Sequence, residues 1–207
     1  MNKEIFNNIY ENKIWCSTKS TPLSGTGSTI RNTKKIRNLL DVFIKERGIT
    51  SVLDMGCGDL NWISKTDFFN NPDIKYVGVD VADSVIASNR EILLGGGVNF
   101  INKDLIDYKD FPFTDLIVLR DVIFHLSLDD IAKIFENIKG RFKYIVITNC
   151  RNEVNNDSFN KWRYSKRNIL IKPFYRDHNY LYIINENVFK RDILLYEHSN
   201  FYKTCKK

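Results

Sequence analysis

The sequence predicts an α/β chain built on a doubly wound, mostly parallel sheet, and three observations carry that prediction. Between residues 33 and 150, short β-rich runs alternate with helical patterns, the signature of strand-helix-strand units. The runs are short, and their separation by helical patterns argues for a parallel sheet covered on both faces. After residue 179, two strand-like runs follow each other with no helix between, which predicts an antiparallel C-terminal strand pair at the sheet edge.

Taken in order, "TKKIRNLLDVFIKER" (33–47) spaces Ile36, Leu39, Leu40, Phe43 and Ile44 at helical intervals, with Thr33 as the expected cap and Gly48 as the stop. The strands follow as "SVLDM", "KYVGVD", "VNFIN", "DLIVL" and "KYIVIT", with "ADSVIASNREILL" and "LDDIAKIFENIKG" as the helices between. In the second of these helices Leu128, Ile131, Ile134, Phe135 and Ile138 form one apolar side, and Ser127 with Asp130 three residues on is a start signal. The edge pair is "YLYIINEN" and "RDILLYEH"; residues 151–179 before it are polar, basic and aromatic with little periodicity.

A chain of 207 residues with 43% hydrophobic content buries a full core and is expected to form one domain: an N-terminal extension (1–32), a core (33–150) and a terminal segment (151–207). The net charge of +6 favours anions mildly without long basic blocks. Four scattered cysteines suggest neither a zinc site nor a disulfide framework, so a reducing cytoplasm is the expected compartment. The start lacks a signal peptide's apolar run, and no segment approaches the roughly 18 apolar residues of a membrane span, so a soluble protein is expected. Oligomeric state is not legible.

The chemistry centres on "SVLDMGCGDLNW" (51–62), a strand turning through Asp54 into Gly56, Cys57 and Gly58. A dinucleotide-binding loop needs a third glycine because a pyrophosphate sits on the following helix N-terminus; Asn61 occupies that position, and Asp54 and Asp59 flank the loop. Carboxylates repel a pyrophosphate and tolerate a cationic ligand, and S-adenosylmethionine, with its sulfonium and ammonium, is such a ligand. Asp80 ends "KYVGVD", where a carboxylate takes both hydroxyls of a ribose, and Asp104 in "FINKD" is placed to reach an adenine amino group. A Gly-x-Gly alone is a weak signal; three successive strands each ending in Asp are far less accidental.

Further on, "RDVIFH" sets Asp121 and His125 four apart, on one face if the segment is helical. His125 reads as a base for an acceptor proton, with Asp121 orienting it or binding the acceptor; the alternative is a packing histidine and a capping aspartate. Two such ligands without a third imply no metal site. In "KWRYSKRN", Trp162 and Arg163 are candidates for holding a phosphate or carboxylate of a small-molecule acceptor, against the alternatives of a solvated loop or, less favoured, a nucleic-acid contact. "SGTGST" (24–29) is either a flexible loop or an anion-meeting lid of backbone N–H groups.

Residues 51–148 resemble the class I S-adenosylmethionine-dependent methyltransferases, "VLDMGCG", "VGVD", "INKD" and "DLIVLRDVIFHL" standing for their four motifs. The resemblance implies a Rossmann-like, seven-stranded sheet whose last strand is antiparallel. More narrowly, "IYENKIWCSTKSTPLSGTGSTIRNT", the Cys57-Gly58-Asp59 loop with Asn61 and Trp62, Arg120-Asp121 with His125, and Trp162-Arg163 with Pro173-Phe174 are similar to a bacterial subgroup with a Ser-Gly-x-Gly-Ser turn. Leu60 departs from the subgroup, which prefers an aromatic there.

The resemblance implies that the cofactor meets Gly25, Gly27 and Ser28 of the turn, Asp54, Gly56, Cys57, Gly58, Asn61 and Trp62 of the loop, and Asp80, Val81, Asp104, Leu105 and Arg120. It places Trp15, Arg31, Trp162 and Arg163 at the acceptor, and Asp121 and His125 at the reaction. It further implies methylation of an oxygen of a sugar or phosphorylated metabolite in capsule or surface-polysaccharide biosynthesis. A nucleic-acid methyltransferase and a nicotinamide-dependent oxidoreductase are the alternatives.

Overall fold

A computed structural model describes residues 2–92, 97–160 and 163–203. Seven strands form one sheet, the number the resemblance implies, in the order β3-β2-β1-β4-β5-β7-β6. They are β1 (Ser51–Met55), β2 (Lys75–Asp80), β3 (Val98–Asn102), β4 (Thr114–Leu119), β5 (Phe142–Cys150), β6 (Tyr182–Glu186) and β7 (Arg191–Glu197). The helices are α1 (Asn2–Glu11), α2 (Lys34–Glu46), α3 (Asp83–Ile92), α4 (Leu128–Asn137) and α5 (His198–Phe201). Among the described residues no helix is long and apolar enough to cross a membrane. Contacts within the chain gather it into two compact units, Met1–Asp107 and Tyr108–Lys207.

In the first unit, β1, β2 and β3 pair in parallel, with Asp54 opposite Gly78 and Asp80 opposite Asn102. Gly78 has a steric reason: a Cβ there would lie 2.8 and 2.9 Å from ring carbons of Phe100 and 3.0 Å from Cys57 Sγ. The ring of Tyr76 stands edge-on between Phe69, at 4.8 Å, and Phe100, at 6.2 Å. α3 packs on β2 and β3.

α2 buries Ile36, Leu40, Phe43 and Ile44, as the periodicity predicts, and ends at Gly48, whose φ of +58° suits the left-handed turn. Its start corrects the sequence reading. Thr33 makes no side-chain cap; its hydroxyl donates to the Thr29 carbonyl because the chain enters from a preceding turn that offers that acceptor. α1, not anticipated as a helix, buries Ile9 and Tyr10 and packs on α3.

In the second unit, β4 is buried at every position and pairs in parallel with β5. β7 runs antiparallel to both β5 and β6, the predicted C-terminal pair. α4 starts where expected: the Asp130 N–H donates to Ser127 Oγ at 3.1 Å, a cap worth about 1 kcal/mol.

The irregular stretch after β5 is ordered by side chains in place of a ladder. Arg167, fully buried, donates to the carbonyls of Leu126 and Asn156 and to Asp157 Oδ1, while Asn155 and Asn149 accept from the N–H groups of Asn168 and Ile169. Such bonds meet the requirement that buried backbone polar groups be paired where no strand is available. Arg176 is likewise buried, its guanidinium 4.8 Å from the Phe135 ring and 4.9 Å from that of Phe201.

Candidate functional site

The first unit carries the turn that follows β1. Gly56 and Gly58 take φ of +80° and +56°, values open to glycine and strained for other residues. The Gly56 and Cys57 N–H groups both donate to the Val79 carbonyl, at 2.7 and 3.1 Å, folding the turn onto the end of β2. There the Asp80 carboxylate accepts from Gly58 N–H and from Ala82 N–H, each at 3.0 Å. Burial pushes the Asp80 carboxyl above its ordinary pKa, and the backbone N–H bonds only partly oppose this.

Asp54 is 3% exposed and accepts the Tyr76 hydroxyl at 2.6 Å. Asn89 of α3 closes the other side, donating to the Gly58 carbonyl at 2.8 Å. Cys57 is a buried thiol whose pKa burial pushes well up, so it is inert packing against Gly78 and Asn89.

The "SGTGST" stretch is tied to this turn. Ser24 donates its hydroxyl to Asp59 Oδ1 at 2.6 Å and its N–H to Oδ2 at 3.2 Å, and Asn61 Nδ2 donates to the Ser28 carbonyl at 2.8 Å. Ser28 in turn donates to the Gly25 carbonyl at 2.8 Å, in a single 3-10 turn, Thr26–Ser28. Gly25 faces Trp15, whose Cβ would lie 3.3 Å from a Cβ at that glycine. The side chain at the third-glycine position is therefore a clasp. Leu60 occupies φ +55° and is 4% exposed.

Beyond the turn the chain enters a single 3-10 turn, Ile63–Lys65, with Trp62 buried at its head. No α-helix starts there, so the aligned N–H groups and dipole that hold a pyrophosphate are missing from this position.

One expectation needs correction: β3 ends at Asn102, so Asp104 lies two residues beyond its strand, where its carboxylate accepts the Ile106 N–H at 3.1 Å. Asn102, which the sequence reading passed over, donates to the carbonyls of Asp80 and Val81. Leu105 is buried, and Gly27 is half-buried within the clasped turn. Trp15 packs edge-on against Phe6 and Tyr10, and Arg31 is exposed ahead of α2.

The second unit carries the charged cluster after β4. Asp121 has φ +60°, so the helical relation to His125 expected from the spacing does not form; only Ile123–His125 make a 3-10 turn. Asp121 Oδ2 lies 3.0 Å from both Arg120 Nη1 and Arg191 Nη2, and Oδ1 accepts the Thr148 hydroxyl at 3.0 Å. Glu186 completes the ring, 3.4 Å from Arg120 Nη2 and 2.5 Å from Arg191 Nε. Burial acts to raise the Asp121 carboxyl, but the two guanidiniums and Thr148 outweigh it and hold the group below the usual carboxylate range.

His125 is oriented from another direction. Its Nδ1 lies 2.7 Å from the Arg163 carbonyl, which only accepts, so Nδ1 carries the proton and Nε2 the lone pair of the neutral ring. Burial lowers its pKa, favouring that neutral form. Arg163, with φ +55°, also donates Nε to the His125 carbonyl at 3.3 Å and stacks 4.3 Å from the Phe159 ring. Trp162 lies outside the described residues. Glu186, Arg191 and Thr148 carried no motif, so nothing in the sequence marked them as members of the cluster around Asp121. No group of His, Cys, Asp or Glu suited to a metal occurs among the described residues.

Solved structures of several methyltransferases are similar to this chain. Magnesium protoporphyrin IX methyltransferase from Synechocystis PCC 6803, with bound SAH, matches over 94% of this chain and 96% of its own, at TM-score 0.65 and 11% identity. An O-methyltransferase family protein from Burkholderia thailandensis matches over 81% of this chain and 56% of its own, at TM-score 0.58 and 14% identity. The N-methyltransferase NodS from Bradyrhizobium japonicum WM9 matches over 79% and 95%, at TM-score 0.55 and 10% identity. At these identities the likeness is one of fold. No family model matches the chain, and no curated protein does.

Proposed function

We propose that the chain is an S-adenosylmethionine-dependent methyltransferase. Its acceptor is a small polar molecule, methylated on an oxygen of a sugar or phosphorylated metabolite in bacterial capsule or surface-polysaccharide biosynthesis. The carrying observation is the turn after β1: two left-handed glycines, Gly58 held by the Asp80 carboxylate and Gly56 by the Val79 carbonyl, with Asp54 and Asp59 beside them and no α-helix N-terminus following.

That set of groups fits a cofactor with cationic centres and a ribose, and it does not fit a pyrophosphate. It thereby disfavours the oxidoreductase alternative. Asp80 would hold the ribose hydroxyls, and the Gly56–Gly58 turn would take the amino-acid portion. The cofactor supplies a methyl on a sulfonium, already a good electrophile, so the protein's task is alignment and exclusion of water.

His125 is the group suited to take a proton from a hydroxyl acceptor, because its neutral form is favoured and Nε2 is its basic nitrogen. Asp121, held as an anion by two arginines, is suited to fixing the cluster's charge and not to carrying protons. A phosphate oxygen needs no base, and the Arg163 fork would then serve as its positioning group.

A turnover screen of nucleotide sugars, sugar phosphates, phosphorylated metabolites and total RNA with labelled cofactor, repeated with His125→Gln, tests the reading. A hydroxyl acceptor predicts a loss of turnover of roughly a hundredfold in the variant. An acceptor already anionic predicts little change. Methylation of RNA alone contradicts the small-acceptor assignment.

A further inference from the structure

We propose that Tyr10, on α1, is a further cofactor-binding residue, its hydroxyl donating a hydrogen bond to the carboxylate of the cofactor's amino-acid portion at the Gly56–Gly58 turn. The inference rests on the methyltransferase reading and adds to it a residue of α1 to which the sequence assigned no role.

Three geometric observations meet at this side chain. A Cβ built on Gly58 would lie 3.1 Å from Tyr10 Oη and 3.3 Å from Ser24 Cβ, so the phenol's oxygen packs directly on the glycine turn. The ring is fixed there: Tyr10 is 7% exposed, shares a buried cluster with Ala82 and Val85, and meets Trp15 edge-on at 5.7 Å. The helix itself is tied to α3, Asn7 and Asp83 exchanging bonds of 2.8 and 3.1 Å while Lys3 Nζ lies 2.8 Å from Asp83.

The surroundings then specify what the hydroxyl is for. Asp54, Asp59 and Asp80 are close enough to Tyr10 that, after burial, their charges are among the causes raising its pKa, so the phenol remains a proton donor. Those carboxylates suit the sulfonium and ammonium of S-adenosylmethionine and repel its carboxylate. A neutral donor wedged among them supplies what that carboxylate lacks, and a charged acceptor makes the bond a strong one.

The test is calorimetric binding of S-adenosylmethionine and of its decarboxylated form to the wild-type chain and to Tyr10→Phe, which keeps the ring and removes only the hydroxyl. The variant is expected to bind S-adenosylmethionine roughly tenfold or more weakly, and the decarboxylated form as the wild type does. Equal affinity for S-adenosylmethionine would overturn the role of Tyr10 and leave the cofactor reading intact. An equal loss for both ligands would overturn the carboxylate as its partner. Failure of the wild type to bind either ligand would overturn the cofactor reading and this inference with it.

Discussion

Replacing Asp121 by Ala removes the anion that two buried guanidiniums share. At 3.0 Å from Arg120 and 3.0 Å from Arg191, each attraction is roughly 5 kcal/mol at an effective dielectric of about 20, before desolvation. Glu186 alone would then face both cations, leaving one positive charge uncompensated among side chains that are 2%, 7% and 9% exposed. Deleting one partner of such a buried set costs about 3–5 kcal/mol, and for a chain of this length that lowers the melting temperature by roughly 6–20 °C.

Asp121→Asn keeps a polar group beside Thr148 and tolerates the left-handed backbone, yet loses the charge, so most of the loss should persist. The pH dependence has a definite sign. The folded-state carboxyl titrates below its ordinary value, so its contribution is fully present above about pH 4 and disappears as pH falls through the folded pKa. Thermal unfolding by circular dichroism from pH 8 to pH 3 reads both effects. A loss of under about 3 °C for Asp121→Ala, or an Asn variant as stable as the wild type, refutes the claim that its charge holds the cluster.

Gly78→Ala forces a Cβ within 2.8 Å of Phe100, and should lower stability by about 1–3 kcal/mol in denaturant unfolding; an unchanged midpoint contradicts the packing argument. Ser24→Ala removes the hydroxyl bond to Asp59, so amide exchange across residues 24–28 should accelerate, Asp59→Ala should do the same, and the double variant should add little. His198 Nε2 accepts the Gly140 N–H at 2.9 Å, and burial followed by the charge of Lys139 lowers its pKa. The unfolded state therefore binds the proton more readily, and stability should fall as pH drops below about 6.5. His125 shifts the same way, so His198→Gln should flatten that slope in part, and an unaltered slope would remove His198 from the account.

The alternating runs showed the sheet in advance because β-rich runs separated by helical patterns leave a local signature, and Ser127 marked its helix because the cap is chemically local. α1 was passed over although Phe6, Ile9 and Tyr10 sit at helical spacing: its asparagines weaken the pattern, and what completes it is packing on α3. Asp54, Asp80 and the glycines were legible as a turn, since positive φ and strand-end carboxylates leave a residue-type signature. The tether from Ser24 to Asp59 spans 35 positions, and the bond between Nδ1 of His125 and the Arg163 carbonyl spans 38. Neither has a spacing rule, because only the folded chain brings such residues together. Asp121 illustrates the limit most clearly: its distance from His125 in sequence suggested a helical face, whereas its left-handed backbone turns it toward Arg191.

The central claim is that the turn gripped by Asp80 holds S-adenosylmethionine. Calorimetric titration of the wild-type chain and of Asp80→Ala with S-adenosylmethionine and with NAD tests it most directly. The account predicts saturable micromolar-range binding of S-adenosylmethionine to the wild type, its loss in the variant, and no binding of NAD. Binding of NAD without S-adenosylmethionine, or unchanged S-adenosylmethionine affinity after removal of the Asp80 carboxylate, would contradict it.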